Sequence, residues 1–255
     1  MEYQIKEEGK FKYIESNGGE HTLLMLHGLF GALSNFEDLI KAFKDDYNVV
    51  VPILPIFDLP PKEVSLDSLV AHVAEFIELK GYEKVNLLGN SLGGHVGLIY
   101  TLKYPEQVKS LTLTGSSGLF ENSIGSSFPP RANYEFVKTK TEGTFYDPKI
   151  ATKELVDEVY SIVNERDKTL AVIYTARSAI KYNLEEELHK IEAPTLLIWG
   201  KDDTITPPFV GDKFHELIKN SKLIFLDKCG HAPMMEHPEE FNQYLEDFLK
   251  GIYAS

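Results

Sequence analysis

Short apolar runs alternate with longer amphipathic segments along most of this chain, and that rhythm limits the possible folds more than any other feature. Runs at Lys10–Glu15, His21–Leu26, Tyr47–Val51, Lys84–Leu88, Ser110–Thr114, Thr195–Trp199 and Lys222–Leu226 read as strands. Val85–Leu88 and Leu196–Trp199 are continuously apolar, the pattern of strands covered on both faces by helices. Between the runs lie helical patterns. In Ser65–Leu79, Leu66, Leu69, Val70, Val73 and Ile77 fall on one helical face, with Ser65 placed to cap the start and Gly81 just past the end. Ser91–Tyr104 repeats the pattern and Pro105 stops it; Pro208–Lys219 and Pro238–Leu249 are similar. This alternation predicts an α/β fold with a mostly parallel sheet and helices on both faces.

One stretch breaks the rhythm. Residues from about 116 to 190 carry no strand pattern. They open with a Ser/Gly/Pro-rich loop, SSGLFENSIGSSFPPR, and continue as helix-like segments near Tyr134–Thr139, Ala151–Asn164 and Lys168–Ala179. The expectation is a helical insertion, 119–190, between core segments 1–118 and 191–255. A length of 255 residues suits one domain with an insertion, or two small domains.

Composition excludes several function classes. The net charge of −13 would repel a polyanion such as nucleic acid, and no basic cluster offsets it. Cys229 is the one cysteine, so no intrachain disulfide forms; it reads as a small buried residue. The polar start, MEYQIKEEGKFKYIE, does not read as a secretory signal. No apolar run approaches the roughly 20 residues that span a bilayer. A cytoplasmic location and no membrane partner are expected. There is no Gly-Lys-Ser/Thr phosphate loop, no dinucleotide fingerprint and no Cys/His cluster for zinc, so no metal or cofactor is expected.

The strongest chemical signal is Gly89-Asn90-Ser91-Leu92-Gly93, followed by Gly94. It directly follows the strand Val85–Leu88 and directly precedes a helix, the context of a G-x-S-x-G nucleophile elbow. Such a turn is sharp and strained. Gly89 and Gly93 flank the serine because side chains there would collide with neighbouring backbone. The elbow would lift the Ser91 hydroxyl to the carboxyl end of the sheet and turn the Leu92 N–H toward the reacting oxygen. A serine hydroxyl needs a base. His231, in Cys229-Gly230-His231-Ala232-Pro233, lies just past the strand ending at Leu226, at the same sheet edge. His237 before Pro238 reads as a helix-capping residue, and His95 lies within the elbow helix. The base in turn needs an acid. It is expected in Trp199-Gly200-Lys201-Asp202-Asp203-Thr204-Ile205-Thr206-Pro207, where the residues alone leave both aspartates open. A second oxyanion donor is expected from the glycine-bearing turn His27-Gly28-Leu29-Phe30-Gly31, through the Leu29 N–H.

With these motifs the chain resembles the α/β-hydrolase superfamily. The matching segments are the His27-Gly28 loop, the Gly89–Gly94 elbow, Tyr104-Pro105-Glu106-Gln107-Val108, the Trp199–Pro207 acid loop and the Cys229–Pro238 histidine loop, in the family's chain order Ser…Asp…His. The resemblance implies the α/β-hydrolase fold, with a mostly parallel central sheet, helices on both faces and a helical cap inserted after the sixth strand. It also places the catalytic acid at Asp203. Among subfamilies the chain looks most like small lidded esterases and the carbon–carbon bond hydrolases of aromatic meta-cleavage products. Asn90 and Asn35 match positions seen in the latter. Two departures stand out: Val159 aligns where those enzymes carry a carboxylate-binding cap arginine, leaving Arg177 or Arg131 as substitutes, and Ala232 stands where they often have Trp.

Three readings follow. The first is a serine hydrolase of a small, largely apolar ester, with Ser91, His231 and Asp203 as triad and Leu29 and Leu92 as oxyanion donors. Asn35, Asn90, Phe30, Phe128 and Tyr134 would contact substrate, with Phe136, Tyr146, Tyr160 and Tyr174 as further cap aromatics. The second is carbon–carbon bond hydrolysis by the same triad, with cofactor-free perhydrolysis as a variant. The third is a non-enzymatic ligand receptor or regulatory partner that retains the triad. The expected partner is a small-molecule substrate, with the chain a monomer or homodimer.

Overall fold

The computed structural model describes residues 4–30, 33–122 and 133–254. Eight strands form one sheet: β1 (Lys6–Glu8), β2 (Phe11–Glu15), β3 (Thr22–Leu26), β4 (Asn48–Pro52), β5 (Val85–Asn90), β6 (Val108–Thr114), β7 (Thr195–Gly200) and β8 (Ser221–Leu226). Their spatial order is β1-β2-β4-β3-β5-β6-β7-β8. β1 and β2 run antiparallel at one edge, and every pair from β4 to β8 is parallel. Each expected strand is present within two residues of its expected ends. β1 is the addition. It is short, polar and largely exposed, and it pairs with β2 alone among the strands, so it carries no apolar pattern to read.

The continuously apolar strands divide their side chains between two layers, because successive residues point to opposite faces. Leu24, Leu26, Leu87, Leu111 and Leu197 pack on one side with α2 (Leu66–Lys80), α3 (Leu92–Lys103) and α7 (Pro208–Leu217). Leu23, Met25, Leu88, Leu196 and Ile198 pack on the other with α1 (Glu37–Phe43) and α9 (Pro238–Ala254). α2 begins at Ser65, whose hydroxyl accepts the Ser68 N–H, and it ends at Gly81 in the left-handed conformation (φ 65°).

Between β6 and β7 the described residues hold helices and no strand: α4 (Tyr134–Glu142), α5 (Lys153–Asn164) and α6 (Arg166–Lys181). The one-turn helix α8 (Pro233–Glu236) follows the histidine loop. Among the described residues, no helix is long and apolar enough to cross a membrane.

Candidate active site

The parallel strands end at one rim, and the expected chemical residues stand there. Ser91 follows the last residue of β5 and has φ 53° and ψ −119°, a left-handed backbone rare for a residue with a side chain. It is held there from both sides: its N–H donates to the Thr114 carbonyl (3.2 Å), and its carbonyl accepts the N–H of His95 and Ser117 (both 3.2 Å). The flanking glycines are sterically required. A Cβ on Gly89 would strike the Gly93–Gly94 backbone, and one on Gly93 would strike the Leu26–His27 backbone. Leu92 opens α3, where an N–H has no acceptor within the helix.

Asp203 and His231 form a buried pair, with His231 Nδ1 donating to Asp203 Oδ2 at 2.9 Å. Asp202, by contrast, is exposed. The Asp203 carboxylate is saturated: Oδ1 accepts the Ile205 and Thr206 N–H groups (2.8 and 2.9 Å), and Oδ2 also accepts the Thr206 hydroxyl (2.9 Å). Burial pushes the Asp203 carboxyl up, but the His231 charge and these donors outweigh it and hold it below the ordinary carboxylate range. Burial disfavours the His231 imidazolium, and Asp203 more than compensates, so its pKa lies above the ordinary 6.5. A carboxylate can only accept, so the Nδ1–H is committed to Asp203 and Nε2 is left as the basic nitrogen.

Ser91 and His231 line one cavity of about 460 Å³, together with Leu29, Phe30, Asn35 and Asn90. The opposite wall is Phe136, Val137, Phe145, Leu155, Val159 and Val163 from the insertion. Leu29 belongs to a turn fixed by His27, whose Nδ1 donates to the Gly28 carbonyl (2.9 Å) and whose Nε2 accepts the Leu54 N–H (2.9 Å). Burial keeps His27 below its usual pKa, hence neutral, as this bonding requires. Because the Gly28–Leu29 peptide is trans, tying the Gly28 carbonyl to His27 turns the Leu29 N–H the opposite way.

The expected contact residues separate. Phe30 lines the cavity and packs against the cluster of Val137 and Val163. Asn35 lines it too, and its buried Oδ1 has no hydrogen-bond partner among the described residues. Asn90 is committed elsewhere: its side-chain amide donates to the carbonyls of Thr114 (3.0 Å) and His231 (3.3 Å), so it anchors backbone rather than offering a donor to the cavity. Tyr134 is outside the cavity. Its hydroxyl donates to Asp157 (2.8 Å) and its ring meets Tyr160 edge-on, joining α4 to α5, because it sits on the face of α4 turned toward that helix. Phe136 is the one of the further cap aromatics that reaches the cavity; Tyr146 is 48% exposed. Phe128 and Arg131 lie outside the described residues. Val159 lines the cavity, and Arg177 does not. Cys229 is fully buried, and burial pushes its thiol up, away from nucleophilic thiolate.

Residues 21–162 and 163–238 match the family model of the alpha/beta hydrolase fold. The 2-hydroxy-6-oxo-6-(2'-aminophenyl)hexa-2,4-dienoic acid hydrolase of Metapseudomonas resinovorans is 30% identical over 256 residues, covering 93% of this chain and 87% of that protein. A monoacylglycerol lipase of Bos taurus is 26% identical, covering 93% and 78%. The crystal structure of an alpha/beta hydrolase enzyme from the metagenome of sediments of the Mar Chica lagoon, Morocco, is 41% identical with a TM-score of 0.79, covering 97% of this chain and 98% of that one.

Proposed function

This chain belongs to the α/β-hydrolase family, and from that premise we propose that it is a serine hydrolase cleaving a small, largely apolar carboxylic ester through an acyl-enzyme. The observation that carries the reading is the buried 2.9 Å His231–Asp203 bond at a cavity that Ser91 also lines. His231 Nε2 takes the Ser91 proton as the oxygen attacks the ester carbonyl. The Leu29 and Leu92 amides receive the oxyanion, and imidazolium His231 gives its proton to the departing alcohol. Water then repeats the sequence on the acyl-enzyme and restores Ser91. Asp203 stabilises the imidazolium without taking its proton. The helices α4–α6 act as a cap, and their apolar wall suits an acyl chain.

The test is a panel of p-nitrophenyl esters of increasing acyl length, with Ser91→Ala as control. Turnover should fall at least about a thousandfold in Ser91→Ala while the thermal midpoint holds, and a fluorophosphonate should label the parent and spare the variant. Parent-like hydrolysis by Ser91→Ala would refute the reading.

One observation favours a second reading, carbon–carbon bond hydrolysis of an acid substrate. Besides titratable His231, Lys140 is the only charged residue among the described residues that line the cavity, and its Nζ stands 5.7 Å from the centre of the Phe136 ring. A carboxylate at the mouth could pair with it. A higher kcat/KM on a vinylogous diketone acid than on any ester would select this reading.

A further inference from the structure

The histidine loop is fastened to the insertion by a carboxylate that the chemistry above does not use. Glu236 ends α8, one turn beyond His231. Its Oε1 accepts the Gly230 N–H at 2.8 Å, and its Oε2 accepts the Tyr146 N–H at 2.7 Å. One half-buried side chain thus bridges the residue before His231 and the segment that leads from α4 to α5. The two backbones run against each other at this point. The His231 N–H donates to the Thr144 carbonyl (2.9 Å), and a Cβ on Gly230 would come within 2.6 Å of that carbonyl and 3.0 Å of the Phe145 Cα. On its other side the His231 carbonyl accepts from Asn90 (3.3 Å). The His231 backbone is therefore held between the elbow and the insertion, with Glu236 clamping the insertion side.

We propose that Glu236 is a positioning residue: by accepting both amides it keeps the insertion docked on the histidine loop and keeps the His231 ring in register with Ser91 and Asp203. This rests on His231 being the base. Glu236 does not line the cavity, so it acts through backbone and not on substrate. A bond from a donor to a carboxylate is stronger than one to a neutral oxygen, and two such bonds on one group fix orientation as well as distance. Thr144 and Phe145 form cavity wall, so the same clamp joins the wall to the base. Burial raises the Glu236 carboxyl, and the amides of Tyr146, Gly230 and Ala232 together with neighbouring His237 offset part of that rise. Its negative charge also helps hold the His231 imidazolium, alongside Asp203 and Glu121.

The test compares the parent with Glu236→Gln and Glu236→Asp, each normalised to the sites a fluorophosphonate labels. Glu236→Gln keeps one acceptor and loses the charge. It should lower kcat per labelled site by about ten- to a hundredfold and slow labelling by a similar factor, as expected when a base is displaced by about an ångström. Its acid limb should move to lower pH, because an anion supporting the imidazolium is gone. Glu236→Asp keeps the charge and shortens the reach, so kcat should fall with the limb near the parent's. A residue that only stabilises the fold would lower the thermal midpoint and the labelled fraction, but leave per-site kcat, labelling rate and limb unchanged. That result in either variant would overturn the proposal, so it stays open to refutation should one of them not fold. A parent that fluorophosphonate fails to label would instead remove the serine-hydrolase reading, and this inference with it.

Discussion

The cavity has two walls built on different physical terms. The sheet-side wall carries Ser91 and His231, with Asp203 behind His231, each just beyond the carboxyl end of a parallel strand. Those strands are clamped by helices on both faces, and Leu196, Leu197, Ile198 and Trp199 of β7 are all fully buried. Part of the wall opposite rests on a far smaller apolar cluster, in which Val137 and Val163 are buried and Phe30, Phe136, Val159 and Tyr160 are partly so, while Phe145 and Leu155 join the layer of α1 and α9. Groups that must meet within hydrogen-bond reach stand on the densely packed element. Groups that only shape the space stand on the thinner one, where local opening costs less. Under the proposed function, chemistry belongs to one wall and selectivity to the other.

The largest effect that could break this division belongs to Asp203. In Asp203→Asn the charge facing the imidazolium is gone and the amide no longer selects the Nδ1–H tautomer, so kcat should fall about ten-thousandfold with the fold intact. Val159→Ala, on the other wall, should instead redistribute kcat/KM among acyl chain lengths. A comparable collapse of kcat in Val159→Ala, read from initial rates across the ester panel, would erase the distinction.

A smaller effect tests the packing. Leu197→Ala removes a fully buried side chain from the sheet and should cost about 2–5 kcal/mol in urea denaturation. Val163→Ala, in the small cluster, should cost about 1 kcal/mol. Equal losses would mean that the insertion is as tightly integrated as the sheet. The smallest effect sharpens the electrostatics. Asp203 raises the His231 pKa, and only neutral imidazole can accept the Ser91 proton. Activity should therefore decline as pH falls through a midpoint above 6.5. Asp203 stays ionised across that range, because its own pKa is depressed. A kcat/KM profile with its acid midpoint below 6.5 would contradict the buried pairing.

Much of this was legible in the chain. Each apolar run became a strand, because alternate side chains of a doubly covered strand must both be apolar, and Leu23 and Leu24 do point to opposite layers. The elbow was legible because few turns join strand to helix with glycines on both sides of a serine. β1 was not, since an exposed three-residue edge strand needs no apolar pattern. Tyr134 was misplaced because residue type does not say where a hydroxyl points, and for the same reason the sequence did not show that Asn90, which does line the cavity, spends its amide on backbone. The carbonyl of His231 lies 141 residues from Asn90 along the chain, and Asp157 lies 23 from Tyr134.

The sequence by itself determined most of the strands and helices, where the elbow falls and which loops carry Asp203 and His231, since these follow from spacings of two to four residues along one backbone. The tertiary structure brought Asp203, where the family resemblance had placed the acid, against His231, and it alone decided that the Asn90 amide is taken up by backbone and that Glu236 ties the histidine loop to the insertion. Those outcomes depend on which groups from distant segments lose water together, and burial of that kind is a property of the assembled layers rather than of any local run of residues.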